Sequence, residues 1–171
     1  MMAKARLEQF GEGSIIHIVH RGTRGFEIVR DEKDKWHFSQ GLYFLNDKAT
    51  NHNWEQDIKL MRLNLIDFGE IRKKVDKWGE RETYVDILAY CLMPNHFHLL
   101  IYVKDPKDVG KFMQRFSTSL VMHFNAKYKV KGSFFESRYK VSVTENDLHF
   151  DIVLPYIIYK NPCELFPGGL K

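Results

Sequence analysis

Only two cysteines, Cys91 and Cys163, occur in the chain, and they form neither a CxxC pair nor the framework of a disulfide-stapled domain. Cys91 sits in an apolar run, and both thiols are expected to be reduced and structural. No stretch reaches the roughly 18 apolar residues that a membrane-spanning helix needs, and the first residues lack an apolar core followed by a small-residue cleavage site. These absences predict a cytoplasmic protein with no membrane partner. Internal repeats, low-complexity tracts and long linkers are missing too, so the organisation has to be read from alternating patterns. With 171 residues, 44% hydrophobic and 28% charged, the chain is expected to form one domain, 1–171, with a polar loop at about 46–57 and a short tail at 163–171.

A strong charge of either sign is also lacking. Lys and Arg number 26 against 22 Asp and Glu, and a formal charge of +4 does not separate a nucleic-acid binder from an ordinary basic protein. The distribution is less even. Residues 105–140 hold eight bases (Lys107, Lys111, Arg115, Lys127, Lys129, Lys131, Arg138, Lys140) against three acids (Asp105, Asp108, Glu136), which leaves the rest nearly neutral. Interleaved with Phe134, Phe135 and Tyr139, these bases suit a phosphate backbone with exposed bases; a solvated basic helix face above core aromatics produces the same pattern.

What is present is clear hydrophobic patterning. Ser14 to His20 is rich in β-branched residues and stops at Arg21-Gly-Thr-Arg-Gly25, as a strand followed by a basic, glycine-bearing loop would. Asp31 to Leu45 reads as a helix, weakened by Gly41. Ile58 to Leu65 fits helix or strand, and Phe68 to Gly79 is charged with few apolar residues. Thr83 to Leu92 and His96 to Val103 are apolar runs separated by Met93-Pro94-Asn95, the spacing of antiparallel neighbours joined by a short turn. Asp108 to Lys127 carries Val109, Phe112, Met113, Phe116, Leu120 and Phe124 at helical spacing. A last helix is expected over Glu145 to Tyr159, ended by Asn161-Pro162. Strand, helix, two paired strands and a further helix predict an α+β, ferredoxin-like split βαββα sandwich, with helices on one face of an antiparallel sheet and the other face open for a site.

The chemistry concentrates at Pro94-Asn95-His96-Phe97-His98. Alternation along a strand puts His96 and His98 on one face, where two imidazoles can share a metal ion, while Phe97 anchors the strand from behind. Bare HxH is also what two ordinary packed histidines leave in a sequence, so the specificity lies in the string around it.

That string, Ala89-Tyr-Cys-Leu-Met-Pro-Asn-His-Phe-His-Leu-Leu-Ile101, resembles the signature of the HUH single-tyrosine transposases, in particular the REP-associated tyrosine transposases and their insertion-sequence relatives. Gly132-Ser-Phe-Phe-Glu-Ser-Arg-Tyr-Lys140, Tyr156-Ile157 with Asn161-Pro162, and His17 to Gly22 resemble further family segments in family order. The resemblance implies metal-dependent cleavage and strand transfer of single-stranded or hairpin DNA through a covalent 5′-phosphotyrosine. It also implies Mg2+ or Mn2+ on His96 and His98, a cytoplasmic, nucleoid-associated enzyme, and a monomer or homodimer. Arg21, Lys111, Arg115, Arg138, Lys140 and Lys160 are the expected DNA contacts. His17 and His20 are expected to pack or to face solvent.

Two landmarks disagree about the nucleophile. Counting from Asp147, the family pattern selects Tyr156; counting back from Asn161-Pro162, it falls on Ile157, as if one residue had been inserted. Tyr159 stands three residues on and remains the alternative. The insertion puts Lys160 where the family carries a third metal ligand; Lys160 can hold phosphate, and Asn161 either completes the metal site or shapes the turn before Pro162. Pro155 either kinks the helix or opens a new one at Tyr156. Two other functions stay open: a domesticated DNA-binding protein that no longer cleaves, and an unrelated metal-dependent hydrolase.

Overall fold

Asn46 and the polar residues after it separate a strand and helix from everything that follows, and the sheet is closed across that gap. The computed structural model describes residues 10–49, 56, 81–136, 138–144 and 146–165. The segments 58–65 and 68–79, most of the loop 46–57 and the end of the tail therefore lie outside the described residues. Strands β1 (Ile15–Arg21), β2 (Asp86–Met93), β3 (His96–Tyr102) and β4 (Lys140–Val143) form one antiparallel sheet in the order β2-β3-β1-β4. This is the expected ferredoxin-like α+β arrangement. β4 was not anticipated: Lys-Val-Ser-Val is too short to display a period, and becomes a strand by pairing Val141 and Val143 with Ile18 and Ile16.

Helices α1 (Glu32–Phe44) and α2 (Pro106–Tyr128) cover one face of the sheet. Each starts on a local signal. The Asp31 carboxylate accepts the Asp34 N–H (3.1 Å), and the Asp105 carboxylate accepts the Lys107 N–H (2.9 Å) ahead of Pro106 in the first turn. Beneath them Ile16, Ile18, Phe97, Leu99 and Ile101 meet Phe38, Phe112, Phe116 and Phe124 in an aromatic core. Gly41, which weakens the helix locally, lets the helices approach: a Cβ there would stand 3.1 Å from the Phe116 ring. Phe134 and Phe135 are buried in this same core, so the aromatics of the basic segment pack inward.

The opposite face is crossed by the C-terminal helical segment. Val153 and Ile157 pack on Cys91, Met93 and Leu100, which is why the central strand β3 is buried on both sides. Helix α3 (Asp147–Pro155) begins where the Asn146 side chain accepts the His149 N–H (2.8 Å). The expectation that the helix stops at Asn161-Pro162 is corrected: a π-helical turn (Tyr156–Lys160) follows α3, and α4 (Asn161–Glu164) carries the helix on through Pro162. The Asn161 N–H donates to the Tyr156 carbonyl, five residues back instead of four. The widened turn restarts the hydrogen-bond register, so Pro162 falls in the first turn of a new segment, where its missing N–H costs little. No helix among the described residues is long and apolar enough to cross a membrane.

Candidate active site

Alternation on β1 and β3 sends His17, Val19, Arg21, His96 and His98 to the face under the C-terminal helix. The turn that carries the HxH pair is fastened from the side. Gly22 N–H donates to the Asn95 carbonyl (2.8 Å), Ile28 N–H to the Pro94 carbonyl (2.7 Å), and Thr23 N–H to the Phe134 carbonyl (3.0 Å). Three separate sequence segments thus meet at one corner. Gly22 is required there, because a Cβ would lie 2.1 Å from the Phe26 carbonyl oxygen.

Both histidines are held through the same ring nitrogen. His96 Nδ1 is 2.7 Å from the Asn95 side-chain oxygen, and His98 Nδ1 is 2.8 Å from His17 Nε2. His98 is almost fully buried, and its Nε2 has no hydrogen-bond partner among the described residues. Burial, with help from His17, His96 and Arg21, pushes the His98 imidazole down to about 3. Burial and then Arg21 lower His96; burial and then His149 lower His17. At neutral pH these rings are uncharged and keep a lone pair, the form in which imidazole binds metals.

Tyr156 comes down on this group from the helix: its ring meets His98 edge to face at 5.8 Å between centroids. Tyr159 is 62% exposed on the outer side of the helix, so of the two candidates only Tyr156 is brought to the histidines. The π turn also decides where its neighbours go. Asn161 stands one wide turn below Tyr156, buried to 1% exposure and with its amide nitrogen unpartnered among the described residues, in the place residue 160 would take in an α-helix. Lys160 is displaced outward, with Nζ 5.4 Å from the Tyr156 ring centroid. The residue that looked inserted between Tyr156 and Asn161 is the one the π turn absorbs.

A metal fits this donor set. His98 Nε2 is a buried nitrogen with no partner among the described residues, the Nδ1 contact of His96 leaves its Nε2 available, and Asn161 brings a buried side-chain amide whose oxygen, the end that carries lone pairs, would be the ligand. Among the described residues no group of three or more His, Cys, Asp or Glu side chains is placed to hold a metal ion, so there His96 and His98 are not joined by a third ligand of those types.

The other expected contacts separate. Arg21 pairs in register with His96, and Lys140 pairs with Val19 on the site side of β4, where Lys140 is exposed. Arg138 is exposed just before β4. Lys111 and Arg115 lie on α2, across the sheet from the histidines. Lys111 bridges Asp108 (2.8 Å), and Arg115 donates to the Asp47 carbonyl (3.1 Å) and to the Tyr84 hydroxyl (2.9 Å). His20 is buried on that far side, stacked on Phe135 at 3.7 Å. Cys91 and Cys163 are free, and burial raises the Cys91 thiol. His17 was expected only to pack or to face solvent, and Asn95 was assigned no role: His17 meets His98 through strand register, which leaves no local signal, whereas Asn95 stands directly beside His96 in the chain.

Fold and site together define a class, an α+β protein of ferredoxin-like topology in which a histidine pair on the central strand faces a helix-borne tyrosine. The chain belongs to the IS200-like transposase family: the model of that family matches residues 68–160, more than half of the sequence. Its members are transposases, the DNA-cleaving enzymes of transposition. Among solved structures the chain is similar to a REP-associated tyrosine transposase bound to a REP hairpin. The TM-score is 0.57 at 13% identity over 96% of this chain and 75% of that one, a likeness of fold. No curated protein matches the sequence.

Proposed function

We propose that this transposase cleaves and rejoins single-stranded or hairpin DNA, with Tyr156 as nucleophile and His96, His98 and Asn161 as the side chains that would hold Mg2+ or Mn2+. The observation that carries the reading is the approach of Tyr156 to His98 across the sheet face, at 5.8 Å. The hairpin-bound relative supports DNA as the partner.

In this reading Tyr156 Oη attacks the scissile phosphorus and the bond from phosphorus to the 3′ oxygen breaks. The 5′ phosphate stays on the tyrosine, and the 3′ oxygen takes a proton and leaves as a hydroxyl. A second 3′ hydroxyl can then attack the phosphotyrosine, and resealing needs no ATP because the linkage retains the energy of the broken bond. The bound cation would act as Lewis acid on a non-bridging phosphate oxygen. Arg21, Lys140 and Lys160 line the same side and would hold neighbouring phosphates, with Lys160 beside the Tyr156 ring. Arg138 would reach the DNA from the approach to β4.

Labelled single-stranded hairpin DNA incubated with the protein and Mn2+ is expected to yield a covalent protein–DNA band. The band should vanish in Tyr156→Phe and persist in Tyr159→Phe. Tight binding with no band would instead make the chain a DNA-binding protein that does not cleave. A band that survives Tyr156→Phe would move the nucleophile elsewhere.

A further inference from the structure

Resting on the reading of His98 as a metal ligand, we infer that His17 is a positioning residue that sets the tautomer of His98. In this arrangement His98 Nδ1–H donates to His17 Nε2, and the His98 Nε2 lone pair is left to face a cation.

The hydrogen bond has two possible directions, and they differ in what they leave at Nε2. The rings lie nearly parallel, 14° apart with centroids at 5.0 Å, and the Nε2–Nδ1 distance is 2.8 Å, so a single proton is shared across a short contact. If His17 were the donor, His98 would carry its own proton on Nε2. That nitrogen is buried and has no acceptor among the described residues, so the N–H would be stranded and no metal could bind there. With His98 as donor, Nε2 holds a lone pair, which a cation satisfies. Only the second direction is compatible with a ligand.

His96 shows the same arrangement with less ambiguity. Its Nδ1 is 2.7 Å from Asn95 Oδ1, an oxygen that can only accept, so its proton is on Nδ1 and its lone pair on Nε2. One site thus has two ligands, each oriented through Nδ1 by a neighbour, one from the turn that leads into β3 and one from β1. In the sheet His17 lies opposite Leu100 and Val19 opposite His98, so His17 reaches His98 along the diagonal, a span that aromatic-sized side chains bridge. An acceptor behind a metal-bound imidazole fixes its rotation and raises its basicity, and losing such a partner costs about 10- to 100-fold in metal affinity.

The test uses the full chain labelled with 15N-histidine, without metal, at about pH 7.5, and follows ring-nitrogen NMR shifts alongside Mn2+ binding by electron paramagnetic resonance. Wild-type His98 is expected to show a protonated Nδ1 and a bare Nε2. His17→Phe, which keeps a ring on the strand but accepts nothing, should shift His98 toward the Nε2–H tautomer and weaken Mn2+ binding about 10- to 100-fold. His17→Gln, whose side-chain oxygen can accept, should recover most of that loss. A wild-type His98 protonated on Nε2, or a His17→Phe variant that binds Mn2+ as the wild type does, would overturn the inference. The expected tautomer in a wild-type protein that binds no Mn2+ would leave the role of His17 standing and remove the metal reading instead.

Discussion

Asp34 shows how much one buried side chain can organise. Its carboxylate, 2% exposed, accepts from Lys127 (2.6 Å), the Tyr128 hydroxyl (2.7 Å), His123 Nε2 (3.0 Å) and the Arg30 N–H (2.9 Å), tying the start of α1 to the end of α2. Burial by itself would raise its pKa, but the hydrogen bonds from Lys127 and Tyr128 outweigh this and hold the carboxyl well below the usual range. Asp34→Ala would leave the Lys127 ammonium, 23% exposed, without its buried partner. Unfolding in urea should report a loss of about 3 kcal/mol.

His37, next in this group, stacks on His123 at 4.0 Å, and burial holds its pKa down to about 4 against 6.5 for a free histidine. The unfolded chain therefore binds a proton that the folded chain refuses between those values, and stability falls as pH drops through this window. From pH 7 to about 4.5 this one ring is expected to account for a loss of about 2–3 kcal/mol. His37→Gln should lose correspondingly less over the same range in paired urea titrations. An unchanged slope in that variant would assign the acid sensitivity to other groups.

At the scale of elements, the π turn is the feature with the most consequence. It exchanges the roles of two neighbours, turning Asn161 into the buried residue beneath Tyr156 and Lys160 into the exposed one. Asn161→Ala is therefore expected to weaken Mn2+ binding about 10-fold or more while leaving metal-free DNA affinity nearly unchanged. Lys160→Ala should do the reverse, lowering DNA affinity with Mn2+ binding intact. Calorimetry with Mn2+ and with metal-free hairpin DNA separates the two, and equal effects of both variants on Mn2+ would show that the widened turn does not select between them.

Across the whole molecule, the two faces of the sheet differ in how their positive charge is spent. On the helix face Lys111, Lys127 and Lys48 are met by Asp108, Asp34 and Asp31, whereas Arg21 and Lys140 stand on the side of the histidines. Binding of single-stranded DNA should therefore lose about 0.7 in the slope of log K against log salt for each of Arg21→Ala and Lys140→Ala. Lys111→Ala should leave the slope alone. A fall in slope with Lys111→Ala would place DNA on the helix side of the sheet.

What depends on near neighbours along the chain is legible in the sequence. The alternation that puts His96 and His98 on one face, the helix start at Asp31, the amphipathic run of α2 and the family signature are all local patterns, and a local pattern keeps its meaning wherever the chain goes. Which residues from distant segments meet is settled by the fold. β4 exists through its pairing with β1, His17 reaches His98 through the strand register, and Tyr156 instead of Tyr159 turns inward because Val153 and Ile157 anchor the helix on Cys91, Met93 and Leu100. Lys111 and Arg115, expected as DNA contacts, lie on α2, where Asp108 meets Lys111 and Asp47 and Tyr84 meet Arg115. The physical reason is common to these cases: hydrogen bonds and packing across a sheet join residues up to scores of positions apart, and the widened turn that places Asn161 stands between helical segments anchored by that packing.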